Sequence, residues 1–187
     1  RPPPPDSNPM HDLSELPNRK SLRMRGYDYS RAGAYFVTIC SHHHHCTLGS
    51  VVGGHTPLTS IGKIVLEVWN ALPERFPGLI LDEFAIMPNH LHGVLGFVGA
   101  GLAPPVSTSS PPLSLHYSLA DVVGAFKSIS TIRVNRGLGQ KGKPLWQRGY
   151  YEHIIRSGED LKNIQRYIME NPMMWALDRE NPASKSR

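Results

Sequence analysis

The chain has 187 residues, of which 40% are hydrophobic and 19% are charged. This composition is typical of a globular protein, and the length suits one domain better than two. The formal net charge of +5 is compatible with a polyanionic partner but does not require one. Two cysteines exclude a disulfide scaffold, so we expect a reducing, cytoplasmic compartment. No apolar run reaches the roughly 18 residues of a membrane span, and we expect no membrane partner.

Three segments lack the apolar pattern of a packed core. Residues 1–19 are rich in proline and polar side chains, which predicts a disordered tail. Residues 99–117 combine proline, glycine and serine, and we predict a flexible loop there. Residues 179–187 are expected to be a frayed end. A single domain over residues 20–178 remains, and the loop lies inside it.

The predicted elements alternate in type along this domain. Aromatic and β-branched runs predict the strands, whereas apolar residues at spacings of three and four predict the helices. Thr59 or Ser60 caps the first helix, and Ser118 with Asp121 three residues later caps the second. The elements are strand 34–41, helix 59–77, strand 79–87, strand 90–98, helix 118–135, strand 150–156 and helix 157–178.

The order of the first six elements, β-α-β-β-α-β, predicts an α+β fold of the ferredoxin-like type. Such a fold has an antiparallel four-stranded sheet with two helices on one face, and strands 79–87 and 90–98 form a hairpin within it. The last helix is additional. The fold by itself implies no function, which has to be argued from side chains.

The stretch "MPNHLHGVL" (87–95) holds the first candidate site. Alternation along a strand directs His90 and His92 to the same face, where two imidazoles can bind one metal ion. A bare His-x-His pair is more often two ordinary histidines on a sheet face, so a metal site needs a further element.

The last helix offers that element in "IQRYIMENP". Tyr167 and Asn171 are four residues apart and therefore share a helical face, and Pro172 predicts a kink or a loosened turn. A phenol can act as a nucleophile near a cation, and an amide oxygen can bind a divalent ion. Two imidazoles and one oxygen form a mixed site suited to Mg²⁺ or Mn²⁺. A half-buried structural tyrosine is the simpler alternative for Tyr167 taken alone.

Together, "MPNHLHG", "FKSIST", "LWQRGYYEHIIR" and "IQRYIMENP" resemble the motifs of the REP-associated tyrosine transposases. These are IS200-like members of the single-tyrosine HUH transposases, named after a motif of histidine, a bulky apolar residue and histidine. The resemblance extends from "LRMRGYDYSRAGAYFVTI" to the "ENP" near the end, which is most of the ordered chain.

The resemblance implies a role for each matching residue. His90 and His92 match the metal ligands, Tyr167 matches the nucleophile, and Asn171 matches the position where relatives complete the metal site with Gln or Asn. It implies a metal-dependent endonuclease and strand transferase that cleaves single-stranded DNA beside hairpin or REP-type sequences through a 5′-phosphotyrosine. When bound to DNA, such a protein is nucleoid-associated. Transposing relatives can be dimers with the tyrosine supplied in trans and others act as monomers, so a monomer and a homodimer both stay open.

Basic, hydroxyl and aromatic residues occur where they can contact a DNA strand. Phosphoryl transfer needs charge neutralisation, and unpaired bases stack on aromatic rings. Each residue taken alone is explained as readily by a solvated charge or a core aromatic. The candidate DNA contacts are Arg23, Arg25, Lys127, Ser128, Arg133, Arg148, Trp146 and Tyr150.

The run "CSHHHHC" (40–46) departs from the family pattern. Such a run has affinity for Zn²⁺ or Ni²⁺, but consecutive residues on a strand alternate faces and cannot all bind one ion without a turn. We therefore interpret it as a variable loop rather than a second metal site.

Two further functions fit the same residues. A ferredoxin-like sheet can hold single-stranded nucleic acid without cutting it, as a binding module. Alternatively, the metal can activate water, so that the protein hydrolyses phosphodiesters without using Tyr167.

Overall fold

The computed structural model describes residues 33–97 and 117–186. Both the predicted tail (1–19) and nearly all of the predicted loop (99–117) lie outside the described residues. The regular elements are β1 (Gly33–Cys40), α1 (Ser60–Asn70), α2 (Leu72–Arg75), β2 (Leu79–Ile86), β3 (His90–Phe97), α3 (Leu119–Gly137), β4 (Tyr151–Ile155) and α4 (Gly158–Met174). Short 3₁₀ turns lie at His42–His44, Trp175–Leu177 and Pro182–Ser186.

The four strands form one sheet in the order β2-β3-β1-β4. All neighbouring pairs are antiparallel, and β1 lies between β3 and β4. The hairpin of β2 and β3 turns at Pro88 and Asn89, where the Met87 backbone N–H donates to the carbonyl of His90 at 2.8 Å. This topology is the predicted ferredoxin-like arrangement, so the predicted α+β class is confirmed.

Helices α1 and α3 cover one face of the sheet. Their apolar stripes pack with Tyr35, Val37 and Ile39 of β1 in the main core. The caps that the sequence predicts are present. Thr59 accepts a hydrogen bond from the Gly62 N–H, and Ser118 forms a reciprocal capping box with Asp121. Each cap satisfies backbone donors that the first helical turn would leave without a partner.

Helix α4 lies against the opposite face of the sheet. Ile164 and Ile168 of this helix pack with Phe36 of β1 and Val94 of β3 in a second, smaller core. As a result β3 is covered on both faces, and its residues are buried except for Gly96, which is partly exposed. Side chains of β3 that point away from the main core therefore face α4 and not solvent.

Two helices differ in their boundaries from the predicted ones. The predicted helix 59–77 is divided at Ala71 into α1 and the short α2, which has Pro73 in its first turn. Helix α4 continues through Pro172 and ends at Met174, where the 3₁₀ turn Trp175–Leu177 follows.

The C-terminal segment predicted to fray is instead packed on the body of the protein. Asn181 is 8% exposed and its side chain donates to the Trp175 carbonyl, while the Glu180 carbonyl accepts from Asn89. The contact between Asn89 and Glu180 joins residues 91 positions apart in the chain, so composition could not indicate it. Among the described helices, not one combines the length and the apolar character required to cross a membrane.

Candidate metal centre and tyrosine site

The histidine pair lies on the face of β3 that α4 covers. In the β1–β3 register, Thr38 is opposite His92 and Cys40 is opposite His90. The exposed fractions of the His90 and His92 side chains are 0% and 3%. The predicted shared face is therefore present, but it is buried, which is unusual for two polar side chains unless they have a specific role.

The two imidazoles point their Nε2 atoms at each other at a distance of 2.9 Å. Cis ligands of an octahedral ion with bonds of about 2.1 Å are separated by about 3 Å. The Nε2 atoms therefore have the spacing of two ligands of one ion before any ion is present.

Outer partners hold both rings in this orientation. His90 Nδ1 lies 2.9 Å from Asn89 Oδ1, which is an acceptor because the Asn89 amide nitrogen donates to the backbone carbonyls of His44 and Glu180. Nδ1 of His90 must then carry the proton, which leaves a lone pair on its Nε2. Thr38 Oγ1 lies 2.8 Å from His92 Nδ1 and can have the same effect on that ring.

The electrostatic environment keeps the pair neutral. Burial lowers the pKa of His92 to about 3. Burial also holds the pKa of His90 well below its ordinary value, and the neighbouring His92 and His44 lower it further. Both rings are therefore neutral at neutral pH, with one N–H each, which is the form that binds metals.

Asp178 joins the pair from the C-terminal segment. Its Oδ2 is 3.7 Å from His90 Nε2, and one ligand atom from each of His90, His92 and Asp178 lies within 4.8 Å of the others. Burial raises the pKa of the Asp178 carboxyl. The hydrogen bond from the Glu180 backbone N–H opposes this effect and lowers the pKa. No motif or periodic pattern in the sequence points to Asp178, which directly follows the 3₁₀ turn after α4.

Asn171 is 3% exposed, and its Oδ1 atom is buried without a hydrogen-bond partner. The Oδ2 atom of Asp178 is also buried without a hydrogen-bond partner. A buried oxygen without a partner costs free energy, on the order of 1–3 kcal/mol, unless a ligand or water satisfies it. The Asp178 oxygen lies near the two histidine Nε2 atoms, and Asn171 interacts with both Tyr167 and Asp178. Imidazole nitrogens and buried oxygens are a donor set that fits a divalent ion such as Mn²⁺ or Mg²⁺.

Tyr167 stands directly over His92. Its hydroxyl is 3.4 Å from His92 Nε2, and its ring packs edge-on against both His92 and Phe36. Burial raises the pKa of the Tyr167 phenol well above its ordinary value, the charge of Asp178 raises it further, and a hydrogen bond with Asn171 lowers it. The tyrosine is therefore protonated at neutral pH in the absence of a cation.

The candidate DNA contacts differ in their placement. Arg23 and Arg25 lie outside the described residues. Ser128, Arg133 and Arg148 are exposed, whereas Tyr150 is partly buried against the main core. The exposed three are able to reach a ligand, and for them the prediction stays open.

Lys127 and Trp146 both form hydrogen bonds within the protein. The Lys127 ammonium donates to the backbone carbonyls of residues 147, 148 and 149, which uses all three of its donors. The Trp146 indole is 5% exposed, packs on Phe126 and donates to Ser130 Oγ at 2.8 Å. Both side chains stabilise the connection between α3 and β4, and their contact with DNA stays a prediction.

The chain is similar to proteins of known sequence or structure. No protein-family model matches it. An uncharacterized protein of Haemophilus influenzae is 34% identical over 169 residues, which covers 86% of this chain and 92% of the relative. A REP-associated tyrosine transposase bound to a REP hairpin superposes with a TM-score of 0.55 at 17% identity, covering 86% of this chain and 77% of that chain. A transposase candidate of Deinococcus radiodurans R1 has a TM-score of 0.46 at 22% identity and covers 78% and 94% of the two chains.

Proposed function

We propose that this chain is a tyrosine-dependent nuclease and strand transferase for single-stranded DNA. It belongs to the same protein family as the Haemophilus influenzae relative and has the fold of the REP-associated tyrosine transposase. One observation supports this most directly. The Tyr167 hydroxyl lies 3.4 Å from His92 Nε2, which is itself 2.9 Å from His90 Nε2. A nucleophile therefore stands beside atoms arranged to bind a metal.

In the proposed site, His90, His92, Asp178 and Asn171 hold a divalent ion. The first two offer neutral imidazole nitrogens, and the last two offer the buried oxygens that have no hydrogen-bond partner. A bound Mg²⁺ or Mn²⁺ supplies polarisation of a phosphate oxygen.

Tyr167 performs the covalent step in this proposal. Its hydroxyl oxygen attacks a DNA phosphorus and loses its proton, and the bond to the 3′ oxygen breaks. That oxygen leaves as a 3′-hydroxyl after taking up a proton, and the 5′ side stays bound to the tyrosine. The phosphodiester bond is exchanged for a phosphotyrosine bond, so no external energy source is needed and the step can reverse.

The environment of Tyr167 explains why the reaction needs a cation. Burial and the charge of Asp178 both disfavour the phenolate. Positive charge from a bound metal would offset the charge of Asp178 and thereby favour the phenolate. The tyrosine is therefore expected to stay unreactive in the free protein.

The test is to incubate the protein with labelled single-stranded hairpin DNA and Mn²⁺ and to look for an SDS-resistant protein–DNA adduct. The adduct is expected with the unchanged protein and is expected to vanish in Tyr167→Phe. Tyr117→Phe is the matched control, because that hydroxyl donates to the Pro77 carbonyl on the main-core side of the sheet.

Two results would redirect the conclusion. Cleavage that survives Tyr167→Phe would show that water is the nucleophile and that the protein is a metal-dependent hydrolase. Binding of the hairpin with neither cleavage nor adduct, in the presence of Mn²⁺, would show a non-catalytic binding module.

A further inference from the structure

A second group of metal-binding side chains lies beside the first. Cys40 ends β1, His44 ends the 3₁₀ turn that follows, and Glu180 comes from the C-terminal segment. His44 Nδ1 is 2.9 Å from Glu180 Oε2, and Cys40 Sγ is 3.9 Å from the same oxygen. One ligand atom from each residue lies within 4.8 Å of the others.

The backbone is bent to bring His44 to this position. His43 and His44 have φ angles of 53° and 54°, in the left-handed region that residues other than glycine rarely adopt. The turn is held by Ser41, whose hydroxyl donates to the His45 carbonyl at 2.8 Å. Because of this turn, His44 leaves the strand direction of the run and faces the C-terminal segment. The expectation of a plain variable loop did not foresee it.

We propose that Cys40, His44 and Glu180 form a second metal site, one for Zn²⁺, with water as the fourth ligand. Ligand atoms of tetrahedral zinc are separated by about 3.3–3.5 Å, which lies between the two distances to Glu180 Oε2. A thiolate, an imidazole and a carboxylate are all zinc ligands, and the thiolate makes this group softer than the histidine–oxygen group of the first site. The proposal does not depend on the nuclease activity.

An ion can reach this group from solvent. Cys40 is partly exposed. The His44 and Glu180 side chains are 32% and 18% exposed, which leaves a path for an ion to enter from solvent.

The second site would support the first through Asn89. The amide nitrogen of Asn89 donates to the backbone carbonyls of His44 and Glu180, and its oxygen faces His90 Nδ1. Zinc on the side chains of His44 and Glu180 would hold those two carbonyls in place. It would thereby preserve the tautomer and orientation of His90, and it would keep Asp178, two residues before Glu180, near the histidine pair.

The experiment is to titrate the metal-free full chain with Co²⁺ and record the near-ultraviolet absorption. A thiolate bound to cobalt gives a charge-transfer band that nitrogen and oxygen ligands do not give. We expect the band to saturate at roughly one equivalent and to disappear on addition of Zn²⁺, which binds the same ligands more tightly.

Variants separate this site from its neighbours. Cys40→Ser is expected to abolish the band, whereas Cys46→Ser, which changes the exposed thiol of the same run, is expected to keep it. His92→Ala is expected to keep it as well, because that residue belongs to the first site. Should Cys40→Ser fail to fold, His44→Asn provides the second test, since asparagine tolerates the left-handed backbone and its short side chain cannot reach the ion.

Three results would overturn the proposal. One is the absence of a charge-transfer band at saturating Co²⁺, which would show that the group is a hydrogen-bonded cluster only. Another is a band that persists in Cys40→Ser and disappears in Cys46→Ser. The third is a band unchanged in His44→Asn. The adduct assay on the first site has a different readout from the cobalt titration, so failure of either proposal can be recognised separately.

Discussion

The Nε2 atoms of His90 and His92 face each other at 2.9 Å, and neither ring is free to turn. Asn89 and Thr38 lie at hydrogen-bonding distance from the two Nδ1 atoms, so both Nε2 atoms are directed to one shared position. In the proposed metal site the ligands would thus be oriented before an ion binds, which would reduce the ordering cost of binding. This arrangement leads to predictions about the outer partner, the third ligand, acid stability and the packing behind the pair.

Asn89→Ala should weaken Mn²⁺ binding by about 10–100-fold, the usual effect of removing an outer-shell partner of a histidine ligand. The physical reason is that His90 Nδ1 then loses its acceptor and the ring can turn or change tautomer. Isothermal titration calorimetry with Mn²⁺ measures the change. The control is Asn135→Ala, which removes an amide that donates to the Lys143 carbonyl, in the connection after α3. Equal affinities in the two variants would show that Asn89 does not orient His90.

Asp178→Asn should weaken Mn²⁺ binding at least as much as Asn89→Ala does, because it removes a charged ligand whose Oδ2 atom is buried beside His90. Glu170→Gln removes the same charge from an exposed position on α4 and controls for long-range electrostatics. The measurement is the Mn²⁺ affinity of both variants by calorimetry. If Glu170→Gln has an equal effect, the carboxylate of Asp178 acts only through the net charge.

The metal-free protein should lose stability as the pH falls below 6.5. His92 has a pKa of about 3 in the folded state and 6.5 when unfolded, and the pKa of His90 is lowered in the same direction. The unfolded state therefore binds more protons between these values, so the free energy of unfolding decreases with falling pH, by up to about 1.4 kcal/mol per pH unit for each group. Well above pH 6.5, where the histidines of the unfolded chain are also neutral, the two groups contribute no pH dependence.

Urea unfolding at pH 7 and at pH 4.5 tests this expectation. His92→Gln should show a smaller difference between the two pH values than the unchanged protein does. His55→Gln, which changes an exposed histidine, should leave the difference as it was. A His92→Gln variant with the full difference would mean that His92 is protonated in the folded state.

Gly93→Ala should destabilise the protein by about 1–3 kcal/mol, as expected for overpacking in a filled core. A Cβ atom at this position would lie 2.5 Å from Trp69 Cζ2, and the indole is fully buried. Gly96→Ala, on the same strand, has its nearest neighbour at 3.5 Å and serves as the control. Thermal unfolding of both variants distinguishes them. Similar melting temperatures would show that Trp69 can move aside without cost.

The features that could be predicted are those that depend on residues close together in the sequence. Apolar spacing predicted the strands and helices, and hydrogen bonds within one helical turn make the caps at Thr59 and Ser118 local. The shared face of His90 and His92 follows from strand geometry alone. Tyr167 and Asn171 share a helical face for the same kind of reason.

Only the tertiary structure decided what completes these pairs. It placed α4 on the second face of the sheet, which brings Tyr167 to His92, and it returned the C-terminal segment so that Asp178 reaches His90 and Glu180 reaches His44. It also buried Trp146 and joined the Lys127 ammonium to backbone carbonyls before β4. Some of these contacts, such as the one between His44 and Glu180, join residues more than a hundred positions apart in the chain. Their distances depend on how elements pack together, and no local pattern of residue types encodes that packing.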